Sequence, residues 1–401
     1  WSWLKLTALR NLAYITTHTT SAHGPKIVAL ISAMWAIGLA VGGPLGSAFA
    51  ENKSLTWRWA FYINIPLGGV ALLLAICCLP SCHLELTPRN MRILRIDILG
   101  IVFNVISPVL FAVATTFSGS IWSWGSRESI AVWAVFGLTL FAWTLQQHLC
   151  ILTTPDDRAC PLHMFKHLGL LPLWTICGCA GATYAVALYY YPLFFAFVRG
   201  HGAIEQTVRL LPFILAFIIT VLLTGAILPR IENYRLVFGI AGILTVAGAA
   251  VTSATLEKNG SETHIMVAEG ILGVGLGMQF QHAIGICNAI CTDVRDRIDS
   301  TFICNMTQMG SIASTLAIAG CIFQNVGYRL LSDIPGSESF SEDQLREALA
   351  GVLGEMKEAG NALVIRQVVH AVAQVISYEF YIVATCGVLI LAAVCALFMP
   401  V

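Results

Sequence analysis

Charge is what this sequence has least of. Only 11% of its 401 residues are Asp, Glu, Lys or Arg, under half of the roughly 25% carried by soluble domains, so water cannot solvate most of its surface. The 22 basic and 22 acidic residues cancel, which leaves no basic face for nucleic acid and no long run of like charge. Metal-site spacing is missing as well. The thirteen cysteines lie mostly inside apolar runs and have no His partners at zinc spacing, so they read as small buried hydrophobes with no disulfide framework. A membrane-embedded transferase would need a fixed His/Asp/Glu cluster, and the nearest candidate, Asp293 to Asp299 with Arg295 and Arg297, reads as a mixed-charge loop. Residues 1–25 are polar, with Lys5, Arg10 and several threonines. They lack the apolar core of a signal peptide, so the first membrane helix is expected to direct insertion.

What the chain has is apolar length. Hydrophobic residues make up 57% and the mean hydropathy is +0.78. Runs of about 20 residues, enough to cross a bilayer, recur at roughly 26–50, 57–80, 97–118, 129–151, 168–198, 206–228, 236–256, 264–290, 300–325 and 373–399. They are too long and too uniformly apolar for the alternating strands of a barrel. The expected fold is an all-α, polytopic membrane helix bundle with about ten spans. Basic residues bias the shorter loops. With both ends inside, Arg89, Arg92, Arg95, Arg158, Lys166, Arg230, Arg235, Arg295 and Arg297 fall inside, against Lys53, Arg58, Arg127, Arg199, Arg209 and Lys258 outside. Ser341-Glu342-Asp343-Gln344-Leu345, in the outer connection 326–372, begins like a capped amphipathic helix.

Trp35 to Pro66 carries the densest pattern. Gly38, Gly42 and Gly46 recur every four residues, which puts them on nearly one helix face where a neighbour can approach closely. Gly43-Pro44 lies within it, and Pro44 removes a backbone donor, so a bend is expected there. Read for packing alone, this is a kinked, close-packed membrane helix.

The same residues resemble a known motif. Gly38 to Gly46, with Gly43-Pro44 inside, is similar to the antiporter motif in the fifth helix of major facilitator superfamily drug exporters. Trp57-Arg58-Trp59 and Phe61 to Pro66 resemble the sixth helix of the fungal fourteen-span drug:proton antiporters, a group that includes toxin-efflux pumps. Arg95-Ile96-Asp97-Ile98-Leu99-Gly100 looks like the start of the seventh helix. Tyr190 to Phe195 with Arg199-Gly200, and Val208 to Phe213, look like the ninth and tenth. Gly273, Gly275, Gly277 and Gln281 match the twelfth, and Phe323-Gln324-Asn325 the end of the thirteenth. In that frame the ten spans are helices five to fourteen of a major facilitator fold, and the chain looks like a member lacking the first four. Residues 1–80 would be the remnant of the N-terminal half, 81–167 a central two-helix insert, and 168–401 a complete C-terminal half. The resemblance implies a monomeric secondary transporter that needs no cofactor. Set in the lipid bilayer of the plasma membrane, or of a vacuole or vesicle, it would export amphipathic small molecules, drugs or secondary metabolites against protons by alternating access. Gly38, Gly42, Gly43, Pro44 and Gly46 would form the bendable seam between halves. A non-transporting remnant, or a membrane-embedded transferase, stays open as an alternative.

Polar side chains inside a bilayer need a partner or water, which nominates the transport path. Gln279, Gln281 and His282 are candidate contacts, and Glu269 is a candidate ionisable group that could equally reach the interface. Asn305 and Gln308 lie on a polar stripe that either lines the cavity or bonds a neighbouring helix. Tyr184 and Phe213 offer flat area for an apolar ligand, whereas Tyr190 and Tyr191 read better as interface anchors. Arg209 is expected to pair with Glu205, Asp97 to cap its helix, and Glu379 to lie in a peripheral span.

Overall fold

In the computed structural model, the structure describes residues 24–52, 54, 56–78, 97–155, 158–231, 233–258, 260–351 and 362–398. The basic residues expected at 89–95 therefore lie outside the described residues. Fourteen α-helices follow in order: α1 (Gly24–Glu51), α2 (Trp59–Tyr62), α3 (Asn64–Cys78), α4 (Ile98–Phe117), α5 (Arg127–Leu149), α6 (Leu171–Phe197), α7 (Ala203–Arg209), α8 (Leu211–Ile227), α9 (Tyr234–Glu257), α10 (Glu262–Gln279), α11 (His282–Ile290), α12 (Val294–Ser332), α13 (Glu342–Leu349) and α14 (Ala362–Leu397). No extended strand occurs among the described residues. Nine helical stretches among them are long and apolar enough to cross a membrane. The chain is an all-α integral membrane protein. In hydrocarbon each backbone group must be satisfied within its own segment, which is why apolar runs of this length become helices.

Local signals fix where helices start. Asp97 accepts from the Gly100 amide at 2.8 Å, Ser126 caps α5 through the Ser129 amide, and Pro172 and Pro212 occupy first turns of α6 and α8. Ser341 and Gln344 form a reciprocal capping box on α13. Helix α1 stays helical through Pro44. Three boundaries differ from the hydropathy reading. Helix α12 extends past both ends of 300–325, and α14 begins at Ala362, so the outer connection shortens to 333–361. The extra turns carry Arg295, Asp296 and Arg329, because a helix continues into water where hydropathy no longer registers it. The run 264–290 is not one helix. It breaks between α10 and α11, where Gln281 takes φ 64°.

Helix α6 is the axis of the bundle. In the most apolar 18 residues of its span 72% are buried, against none in those of Trp59–Cys77. It packs on α12 and α14, α14 on α9, α9 on α10, α10 on α8, and α8 on α1. Lipid removes the burial drive that holds soluble cores together, so close fit has to supply the attraction. Glycine provides it at several seams. A Cβ on Gly277 would stand 2.7 Å from Thr220 Cβ, and one on Gly273 would stand 2.5 Å from the Phe213 carbonyl, so α10 lies directly on the α8 backbone. Gly181 admits α12 in the same way, against Gln308 and Ser311. The largest buried side chains, among them Tyr190, Tyr191, Phe194, Phe195, Phe213 and Phe217, fill the core of this bundle. The hairpin α4–α5 sits against α12.

Candidate functional site

The site forms where the α10–α11 break meets α1. Phe280 is extended (ψ 125°) and Gln281 left-handed, with no Gly or Pro at either position. Tertiary packing therefore holds the break open, at a cost on the order of 1–3 kcal/mol for a non-glycine residue in this conformation. Broken helices inside membranes occur where freed backbone groups line a cavity or a binding site. Phe280, 1% exposed, turns its ring into an aromatic group. Its centroid lies 5.5 Å from Tyr184 in a near-stacked pair, 5.1 Å from Phe217 edge-on, and 6.0 Å from Trp35. Trp35 Nε1 donates to the Tyr184 hydroxyl at 3.3 Å. Phe213 stacks behind Phe217 at 6.4 Å. Trp35 comes from α1, and the other rings come from α6, α8 and the break, so the group bridges the α1 helix and the α6–α14 bundle.

A polar edge adjoins the rings. Gln281 Nε2 donates to Gln308 Oε1 at 3.1 Å. Gln308 is wholly buried and its Nε2 has no partner. An unmatched buried amide costs on the order of 1–3 kcal/mol, which a ligand acceptor would recover. Flat apolar faces, one hydroxyl and two amides, with no charged side chain among them, suit an amphipathic molecule.

The other residues singled out from the sequence are dispersed. Gln279 turns away from the rings and donates to Thr245 Oγ1 of α9 at 3.3 Å. Asn305 bonds back to the Thr301 carbonyl within α12. His282 is buried against the backbone of Val221 and Gly277, with Nε2 unpartnered. Glu269 is fully buried rather than at the interface, two turns from the start of α10. Glu379, expected in a peripheral span, is also fully buried, because α14 packs on α6, α9 and α12. Tyr190 and Tyr191, expected as interface anchors, are core residues at 1% and 0% exposure. Arg209 pairs with Glu262 at 2.7 Å rather than with Glu205, and His201 joins the same carboxylate at 3.3 Å.

Asp97 caps α4 and also accepts from Gln146 and Gln147 of α5 and from the Ala159 amide, at 2.7–3.0 Å. Burial pushes its carboxyl upward, but the four donors outweigh that and hold it below the usual carboxylate value. It is therefore an ionised structural tie.

The seam at α1 is narrower than a face of three glycines. A Cβ on Gly38, Gly42 or Gly46 would meet nothing within 4 Å among the described residues, whereas one on Gly43 would meet Thr207 Cγ2 at 2.8 Å. One turn on, the Ser47 and Thr207 hydroxyls share a 2.7 Å hydrogen bond, and Glu51 accepts from the Ile204 amide at 2.9 Å. Trp35, Phe217 and Phe280 were not legible as site residues. Trp35 opens the glycine stretch and Phe280 precedes Gln281, but neither signal shows that the two meet.

The sequence profile of the Major Facilitator Superfamily matches residues 11–323. The chain belongs to the Major Facilitator Superfamily. It is thus a transporter and not an enzyme. Among its relatives, Efflux pump patC of Aspergillus clavatus is 31% identical over 391 residues, covering 94% of this chain and 70% of the relative. The MFS-type transporter patC of Penicillium expansum is 31% identical over 395 residues, covering 97% and 71%. Efflux pump DEP3 of Fusarium langsethiae is 27% identical over 380 residues, covering 93% and 68%. Among the described residues no three His, Cys, Asp or Glu side chains are grouped to hold a metal.

Proposed function

We propose that this protein exports amphipathic small molecules, drugs or secondary metabolites, in exchange for protons, as a monomer in the plasma membrane of a fungal cell. The ring group of Trp35, Tyr184, Phe217 and Phe280 at the broken helix carries the reading, because it is where α1 and the α6–α14 bundle share one apolar surface. Two relatives are named efflux pumps, which supports the direction of transport. Alternating access would open this surface to each side in turn. The Ser47–Thr207 and Glu51–Ile204 contacts form the closure that must part when α1 swings away from α7. Gly43 and Pro44, inside that closure, let it re-form.

Expression in a yeast strain stripped of its own drug pumps tests this, with rhodamine 6G as the probe. The protein should lower probe accumulation, and an uncoupler should abolish the effect. Trp35→Ala and Phe280→Ala should each raise the half-saturating probe concentration about tenfold, or ~1.4 kcal/mol, the scale of one aromatic contact. Accumulation equal to that of cells without the protein, at matched membrane abundance, would refute the reading.

A further inference from the structure

Two carboxylates in the α6–α14 bundle are unexplained by the site above. Glu269 of α10 and Glu379 of α14 are both 0% exposed, and all four of their oxygens lack a hydrogen-bond partner. Among the described residues no cation faces either one. Glu269 is within electrostatic reach of Tyr191 of α6, whose hydroxyl shares a 2.7 Å hydrogen bond with Thr252 of α9. Glu379 is within electrostatic reach of Tyr190 of α6 and Cys321 of α12. Its neighbour Phe380 packs on Tyr191 at 4.8 Å. The two acids thus flank consecutive tyrosines on the most buried helix of the molecule.

A bare carboxylate without a counter-charge in such a place costs several kcal/mol, and a chain retains one only for a use. Structural carboxylates look different here. Asp97 has four donors, and Glu262 has the Arg209 guanidinium and the His201 ring. Glu269 and Glu379 instead have surroundings suited to a neutral acid in this conformation, and to an anion only once water or a donor reaches them. They are also connected to the ring group. Gln279, the last residue of α10 before the break, follows Glu269 by ten residues, about 15 Å of helix rise, and Tyr184 precedes Tyr191 by two turns on α6. One pair of helices therefore holds both places.

We propose that Glu269 and Glu379 are the proton-carrying groups of this transporter, loaded in the closed conformation and released to water when α6 and α10 shift; the assignment rests on the antiport reading above. A proton adds to a carboxylate oxygen from water on one side and leaves from the same oxygen to water on the other, so no further reactant is required.

The test uses the purified protein in liposomes and dicyclohexylcarbodiimide, which reacts with protonated carboxyls in apolar surroundings. Mass spectrometry should find adducts on Glu269 and Glu379, diminishing as the buffer is made alkaline, and none on Asp97. In a second arm, Glu269→Gln/Glu379→Gln should still exchange rhodamine 6G by counterflow, which needs no proton. It should lose accumulation driven by a pH gradient, falling to the level of empty liposomes. Absence of adducts on both glutamates, or gradient-driven accumulation unchanged in the double variant, would overturn the assignment and leave antiport standing. Wild-type protein that labels but ignores a pH gradient would overturn antiport itself, and the carrier role with it.

Discussion

Two residues show how far a single side chain can be out of keeping with its surroundings and still be held. Gln281 occupies a left-handed backbone conformation that nothing in its chemistry favours, and its amide is tied to Gln308. Gln281→Val should destabilise the protein by ~1–3 kcal/mol, because a branched Cβ tolerates this conformation worst. Gln281→Gly keeps the backbone, loses only the amide and should be milder; thermal unfolding in detergent compares the two. Asp97 is the opposite case, a buried charge fully supplied with donors. Asp97→Asn presents an amide to those donors and should cost ~1–3 kcal/mol. Its pH signature has a definite sign. The folded carboxyl titrates below its unfolded value of about 3.9, so its contribution is complete above that value and disappears as the pH falls through the folded one. Melting temperature against pH should drop on the acid side for the wild type, and this slope should flatten in the variant.

At the scale of helices, much was legible because lipid leaves few choices. Span positions follow from apolar length, and the starts at Asp97 and Ser341 from side chains that reach orphan amides. What escaped was decided between elements. The break at Phe280-Gln281 has no Gly or Pro to announce it, and it separates residues that a continuous helix would align. Arg209 found Glu262 across a loop rather than Glu205 on its own turn, since nearness in sequence does not rank partners from different helices. The glycine face of α1 was plain as a pattern, but a pattern does not say which neighbour arrives; among the described residues Gly43 alone of the motif meets one. That contrast gives a paired expectation. Gly277→Val drives a side chain into Thr220 and the Phe217 carbonyl and should cost ~1–3 kcal/mol or more. Gly38→Ala should change stability by no more than about 0.5 kcal/mol. Fluorescence-detected gel filtration after heating ranks the pair.

Over the whole molecule, the α4–α5 hairpin is fastened to the α6–α14 bundle at both of its ends. On one side, Asn325 of α12 donates to the Ser118 carbonyl and accepts from Trp124, and Arg346 of α13 donates to the Gly119 carbonyl. On the other, Asp97 and Gln147 hold the amides of Ala159 and Cys160, and His163 a few residues on reaches Asp296 and Asp299 of α12. Helix α1 instead meets the bundle along α8, at the ring group through Trp35, and around Thr207. Spin labels at positions 121 and 332 should therefore keep their separation when the transporter changes state, while labels at 45 and 208 should move apart. If the first pair moves as much as the second, the hairpin is not part of the bundle. In the proposed alternating access, a hairpin fastened at both ends turns with the bundle and widens the face that this body presents to lipid.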